Sequence, residues 1–315
     1  MPSTVVLGID FGGTKIAVAV GDLDGNRLGT VTIPAAAESG AAASLASAIE
    51  AAHQLLGRAA PGRELAGVGV STFGIPGPAG VALAPAIDGW ADLALSYELG
   101  AAFNRVPVRV ATDVKAAAQV EATQGALAGC DPAIYLNLGT GLAAAIVAGG
   151  TVISGRNGAS GEIGYNLRDL ADVGRRLDDR TPLEATVSGG ALLAAAVRVA
   201  PGLSGADAFF GRTADDPALA GVLDDFLTEL AFHLVNLAVA VDPQRIAVGG
   251  GMVRAWDLIS PRLRAALDAA VPYPPELVIA AFPYDAPLIG ALTQGVAAAR
   301  ARLAGVATVQ KGLPR

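Results

Sequence analysis

The sequence predicts an α/β protein of two similar lobes, on three observations. The chain has 315 residues, a length that suits two domains of ordinary size. Short β-branched runs such as Val5–Ile9 and Ile16–Val20 alternate with longer alanine-rich stretches such as Ala41–Arg58, the patterns of buried strands and of helices. One unit, a strand, a glycine turn and a second strand, stands near the start around Gly8–Lys15 and again around Leu138–Gly141. Self-similarity of this kind marks two halves built alike.

Each element follows from local pattern. Thr4–Pro34 reads as three strands joined by tight turns, the second turn marked by Asp24-Gly25, a hairpin dipeptide. Ala41–Arg58 is helical, Leu65–Ser71 a strand, and Gly74-Ile75-Pro76-Gly77-Pro78 a loop. Leu93–Phe103 reads as helix and Val106–Ala111 as strand, with Asp113 just beyond its end and helix over Ala116–Leu127. Ala133–Leu138 and Leu142–Val147 are the strands of the second glycine unit. Arg168–Pro182 is polar and loop-like; Ala191–Val199 and Leu219–Val241 are helical; Arg245–Val248 is a strand running into Gly249-Gly250-Gly251. Leu288–Leu303 closes the fold as a helix, and the tail beyond Val306 is expected to be loose.

Composition excludes several classes. Apolar residues make up 52% of the chain and charged ones 16%, enough to build a large core and too little charge for disorder. A net charge of −7 argues against a general nucleic-acid surface. Cys130 is the only cysteine, so no intrachain disulfide forms, which fits a cytoplasmic setting, and no zinc site can draw on several cysteines. His53 and His233 are the only histidines, both in helical pattern and read as structural. Met1-Pro2-Ser3-Thr4 has no basic region and does not read as a signal peptide. The apolar stretches Ala66–Ile87 and Tyr135–Gly155 are broken by Gly or Pro, so no membrane span is expected.

The chemistry starts at Gly8–Lys15, G-I-D-F-G-G-T-K. Glycines let backbone N–H groups approach an anion, and Thr14 and Lys15 add a hydroxyl and an ammonium. Phosphate loops of the P-loop and Rossmann kinds join strand to helix; this one joins strand to strand. Asp10, at a strand end, suits a hydrated Mg²⁺ that travels with a nucleotide. The only lysines are Lys15, Lys115 and Lys311. Two of the three therefore fall in candidate site segments.

Four segments in order resemble the ROK family of sugar kinases and related repressors. They are Asp10-Phe11-Gly12-Gly13-Thr14-Lys15, Leu138-Gly139-Thr140-Gly141, Gly158–Gly164 (G-A-S-G-E-I-G) and Asn236–Gly251 (N-L-A-V-A-V-D-P-Q-R-I-A-V-G-G-G). The likeness runs from about Val5 to Ala297. It implies the actin-like ATPase (ribonuclease H-like) fold, with a small lobe of residues 1–112 plus about 292–315, a large lobe of 113–291, and a cleft between them for ATP and sugar. It also implies a homodimer. The repressors carry an extra N-terminal DNA-binding domain, and with the first glycine unit so near the start none is expected here. Asp113, in A-T-D-V-K-A-A-A, matches the family's catalytic base, which takes the proton of the acceptor hydroxyl; an alternative role for it is a helix N-cap. Asp10 would position Mg²⁺ through a bridging water. Gly12, Gly13, Thr14, Lys15, Gly139, Thr140 and Gly141 would face phosphate, and Gly249 and Gly250 the adenosine. Gly77, Thr112, Asp113, Glu162, Tyr165 and Glu184 make the expected acceptor set.

The acceptor end departs from the family pattern. Thr112, Lys115 and Ala86 stand where asparagine is usual, and Tyr165 stands where a histidine serves both sugar and zinc. The cysteine cluster that follows that histidine is absent, so no structural zinc is expected. Salt bridges among Arg168, Arg175, Arg176, Arg180 and Asp169, Asp172, Asp178, Asp179 are the expected replacement in loop Tyr165–Pro182. Lys115 either binds an anionic group or lies on the outer face of its helix. The expected activity is ATP-dependent phosphorylation of a primary hydroxyl on a hexose or sugar-like polyol. A cyclitol or amino sugar as acceptor is one alternative, a non-catalytic nucleotide or sugar sensor another.

Overall fold

The computed structural model describes residues 4–311, with side chains as far as Ala304. Among the described residues twelve strands and eight α-helices follow in order. The strands are β1 (Val5–Phe11), β2 (Lys15–Asp22), β3 (Arg27–Pro34), β4 (Leu65–Thr72), β5 (Ile75–Pro76), β6 (Val81–Ala82), β7 (Val108–Thr112), β8 (Ala133–Leu138), β9 (Leu142–Ala148), β10 (Thr151–Val152), β11 (Arg245–Gly249) and β12 (Glu276–Ile279). The helices are α1 (Gly40–Ala59), α2 (Leu95–Ala102), α3 (Asp113–Gln124), α4 (Gly189–Val199), α5 (Gly205–Arg212), α6 (Pro217–Val241), α7 (Trp256–Ala270) and α8 (Ala286–Lys311).

The chain divides into two units. One runs to Val120 and resumes at Asp285; the other is Glu121–Tyr284. The crossings fall within α3 and just before α8.

The first unit is built on a sheet of order β3-β2-β1-β4-β7. β2 is antiparallel to β1 and β3, whereas β1, β4 and β7 run parallel. Alternation along β1 assigns its two faces. Val5, Leu7, Ile9 and Phe11 join a core with α1 and α2, while Val6 packs with Leu288, Leu292 and Val296 of α8. Asp10 shares its parity with Val6, so its carboxylate leaves the sheet on the α8 side.

The second unit repeats the plan. Its sheet has the order β10-β9-β8-β11-β12, with β9 antiparallel to β8 and β10 and with β8, β11 and β12 parallel. Ile134, Leu136 and Leu138 face a core shared with α4, α6 and α7. β1 therefore corresponds to β8, and Asp10, paired with Ala17, to Asn137, paired with Ala143. The fully buried Glu121 accepts hydrogen bonds from the N–H groups of Ala126 (2.7 Å), Ala281 (3.0 Å) and Phe282 (2.7 Å). Three donors compensate a carboxylate that burial alone would make costly.

Four sequence expectations are corrected. Helix α3 begins at Asp113 instead of Ala116. Helices α5 and α7 and strand β12 were not anticipated; Pro261 inside α7 hides a helical pattern whose buried face is Ile259, Leu263 and Leu267. Within the loop Gly74–Pro78, Ile75–Pro76 forms the short strand β5, which pairs with β6 beyond it. The tail is helical past Val306, through Lys311, and the rest lies outside the described residues.

Candidate active site

In the first unit the candidate residues gather at the carboxyl ends of the parallel strands, where open α/β sheets bind ligands. The register sets Asp10, Ser71 and Ala111 in one row and Phe11, Thr72 and Thr112 in the next. Asp113 follows directly. Asp10 and Asp113 thus stand two strands apart, about 10 Å at ordinary strand spacing. The glycine turn is closed by Gly12 N–H donating to the Lys15 carbonyl at 3.0 Å, and Gly13, Thr14 and Lys15 are exposed at its tip. Trp90 holds the neighbouring loop. It is fully buried, donates from Nε1 to Thr72 Oγ1 at 3.1 Å, and packs on Phe11 and Phe73 at 5.2 and 5.0 Å.

Ser71 Oγ lies 2.7 Å from Asp10 Oδ1 and 3.0 Å from the Pro287 carbonyl; its one proton serves one of them at a time. The Asp10 carboxyl is pushed from 3.8 up to about 6, chiefly by burial and also by the Asp285 carboxylate, against the Ser71 hydrogen bond and the nearby Lys15 ammonium. Asp285 itself pairs with Arg27 at 2.5 Å.

At the start of α3, Thr112 and Asp113 both accept from first-turn N–H groups. Thr112 Oγ1 accepts from Lys115 N–H at 3.2 Å, and Asp113, the first helical residue, accepts on Oδ1 from Val114 N–H at 2.8 Å. The outer-face reading of Lys115 is overturned, because only 7% of the residue is exposed. The helix turns no side there to solvent: Ala116, Ala117 and Ala118 are fully buried as well. Gly77 sits at the exposed turn between β5 and β6, its N–H bonded to Gly80 O at 2.8 Å.

In the second unit two glycine segments converge. The carbonyls of Gly139 and Thr140 accept from Gly189 and Gly190 N–H at 2.9 and 3.2 Å, which docks the turn on the start of α4, a helix capped by Ser188. Gly249 pairs with Asn137 across the sheet. Gly250, at φ +90°, passes so near the turn that a Cβ there would lie 2.4 Å from Leu138 O; only glycine fits. Beside them is an apolar crevice lined by Leu192, Leu193, Phe209, Phe210 and Met252.

Glu184 joins the turn to the acceptor candidates. Its Oε2 accepts from Leu142 N–H at 2.8 Å, and a Cβ on Gly141 would meet that oxygen at 2.5 Å. The 3₁₀ turn Ile163–Tyr165 packs against the 3₁₀ turn Leu183–Ala185. The Tyr165 phenol is raised above its ordinary value of 10.0 by burial, then by the Glu184 and Glu162 carboxylates. Glu162, Tyr165 and Glu184 therefore form one group.

The loop after Tyr165 is not held as the sequence suggested. Within it, Arg175 and Asp172 make only a loose pair at 3.8 Å. Arg168 instead reaches Glu229 on α6, with Nε–Oε1 2.5 Å and Nη2–Oε2 3.2 Å. Arg180 donates to main-chain carbonyls, those of Tyr165 at 2.5 Å and Asn166 at 3.0 Å. Asn166 Nδ2 lies 3.3 Å from His233 Nδ1. Burial, and secondarily Arg168, lower the His233 imidazole below its ordinary 6.5 against the pull of Glu229. Among the described residues no group of three or more His, Cys, Asp or Glu gathers to hold a metal. Ser71, Asp285 and Arg180 were not singled out as site residues; Ser71 carried a faint signal as the residue ending a strand.

Comparison with known proteins gives these residues a setting. A model of the ROK family matches residues 6–294. A glucokinase of Halalkalibacterium halodurans is 28% identical over 277 residues, covering 80% of this chain and 82% of its own length. A kanosamine kinase of Amycolatopsis mediterranei is 30% identical over 266 residues, covering 81% and 83%. A solved ROK family glucokinase of Streptomyces griseus, in complex with glucose and AMPPNP, is 27% identical, superposes with a TM-score of 0.75, and covers 92% of this chain and 99% of its own.

Proposed function

The chain belongs to the ROK family, has its actin-like ATPase fold and is a phosphotransferase acting on an alcohol group; from that premise we propose that it transfers the γ-phosphoryl of ATP to a primary hydroxyl of a hexose or sugar-like polyol. Asp113 takes the proton of the attacking hydroxyl as the new oxygen–phosphorus bond forms and the bond to the β-phosphate oxygen breaks, releasing ADP. Thr14, Lys15, Thr140 and the turns around Gly12, Gly13, Gly139 and Gly141 hold phosphate oxygens. Gly249 and Gly250 admit the adenosine. Glu162, Tyr165 and Glu184, with Thr112 and Gly77, receive the acceptor's hydroxyls.

The observation that carries this reading is Glu184. Its carboxylate is bonded at the root of the second glycine turn and grouped with Glu162 and Tyr165, so hydroxyl-reading groups adjoin a phosphate-type turn. Asp10 suits Mg²⁺: a desolvated carboxylate with Asp285 nearby, raised to about 6, is relieved by a cation, which would be reached through water. When bound, the ion offsets charge on the phosphates. A homodimer in the cytoplasm is the corresponding reading of assembly and place; no helix among the described residues is long and apolar enough to cross a membrane.

A second reading, a cyclitol or amino sugar as acceptor, is favoured by Tyr165, Thr112 and Ala86, since a site that reads hydroxyls discriminates strongly when its polar groups change. The relative active on kanosamine agrees with it. The test is ADP release over a panel of hexoses, amino sugars and cyclitols, with Asp113→Asn alongside. Turnover with a hexose and a fall of about 10²–10⁴ in kcat for the variant, with nucleotide affinity kept, is expected. Near-normal turnover by Asp113→Asn refutes the base.

A further inference from the structure

The short stretch that presents Tyr165 is fastened at three points. Two of them run to α6: Arg168 to Glu229 as a two-bonded pair, and the Asn166 amide to His233. The third is Arg180, whose two Nη atoms donate to two successive main-chain oxygens, Tyr165 O at 2.5 Å and Asn166 O at 3.0 Å. These carbonyls lie where the 3₁₀ turn Ile163–Tyr165 ends, with no helix or strand to receive them. A planar guanidinium spans two neighbouring acceptors; an ammonium, a point donor, does so poorly. Arg180 also belongs to the stretch that runs into the turn Leu183–Ala185 and Glu184. The guanidinium therefore ties the main chain under Tyr165 to the segment that carries Glu184. Contact between the turns is already close, for a Cβ on Gly164 would lie 3.2 Å from Glu184 Cβ.

We propose that Arg180 is a positioning residue for acceptor recognition: by clamping the carbonyls of Tyr165 and Asn166 it fixes the turn that carries Tyr165 against the turn that carries Glu184, so that a polyhydroxy acceptor meets the phenol and the carboxylate in one held arrangement. The proposal rests on the sugar-kinase reading. A hydroxyl left to swing about a loosened main chain reads its ligand poorly, because the ordering is then charged to binding.

The test compares Arg180→Gln and Arg180→Lys with the unaltered chain by steady-state kinetics on the acceptor with highest turnover, and by amide hydrogen exchange over residues 163–168. Arg180→Gln is expected to raise the acceptor KM about tenfold or more, to leave the ATP KM and kcat within about threefold, and to lose exchange protection in 163–168. Arg180→Lys is expected to fall between. A folded Arg180→Gln with unchanged acceptor KM overturns the proposal, as does an equal rise in the KM for ATP. If the Gln variant does not fold, Arg180→Lys is held to the same two criteria. An unaltered chain that phosphorylates none of the panel overturns the kinase reading and the acceptor role with it, whereas exchange still reports whether Arg180 pins the segment.

Discussion

Asp10→Asn yields a prediction whose size and sign both follow from the structure. Asp10 is raised from 3.8 to about 6, burial being the largest cause. The native state therefore keeps a proton that the unfolded chain has already released between about pH 4 and pH 6. Stability must fall as pH rises through that window, and stay flat above it as far as this group is concerned. At about 1.4 kcal/mol per tenfold change in proton affinity, the full loss is about 3 kcal/mol; relaxation and the partial exposure of Asp10 reduce it to about 2 kcal/mol. Asparagine has no such titration, keeps an oxygen for Ser71 Oγ, and forgoes the attraction of Lys15. The unfolded carboxyl is already mostly ionised at pH 4.5, so the variant should lead the unaltered chain there by under about 1 kcal/mol and at pH 7.5 by about 2 kcal/mol. Urea unfolding of both chains in EDTA, at half-unit pH steps, measures the difference, in which all other titrating groups cancel. A gap independent of pH, or a variant less stable at pH 7.5, refutes the reasoning.

Two further changes test the parts around the site. Glu121→Ala strands the N–H groups of Ala126, Ala281 and Phe282, and should cost about 3 kcal/mol or more in urea unfolding, with Glu121→Gln losing less because one oxygen remains; a loss under about 1 kcal/mol for the alanine variant would show that the carboxylate is dispensable. Gly250→Ala puts a methyl group against Leu138 O in a conformation that L-residues avoid. It should raise the KM for ATP about tenfold with the acceptor KM little changed, and equal rises in both would argue against a role confined to the nucleotide.

Both glycine hairpins were legible because a turn between two period-two runs is a local matter: Phe11 opposes Ile16 and Leu138 opposes Leu142 with few residues between. The end of β7 and the helix after it were legible for the same reason, and with them the place of Asp113. Helix α7 was not, since Pro261 breaks the pattern while the packing of Ile259, Leu263 and Leu267 sustains the helix. The burial of Lys115 was not legible because the face a helix turns to solvent depends on what packs around it. The loop after Tyr165 has the charges for internal salt bridges, yet its arginines found better partners: Glu229 far along the chain, and carbonyls that no charge pattern reveals.

The amino-acid sequence by itself determined the two repeated strand–turn–strand units, the strand-end aspartates and the family to which they belong, because these depend on residues near one another in the chain. Only the tertiary structure decided that Ser71 and Asp285 share the surroundings of Asp10, that Glu184 reaches the root of the second turn, and that Arg180 clamps the chain below Tyr165. Hydrogen bonds and desolvation act over a few ångströms of space, and residues distant in sequence become neighbours only when the sheets and their helices have packed.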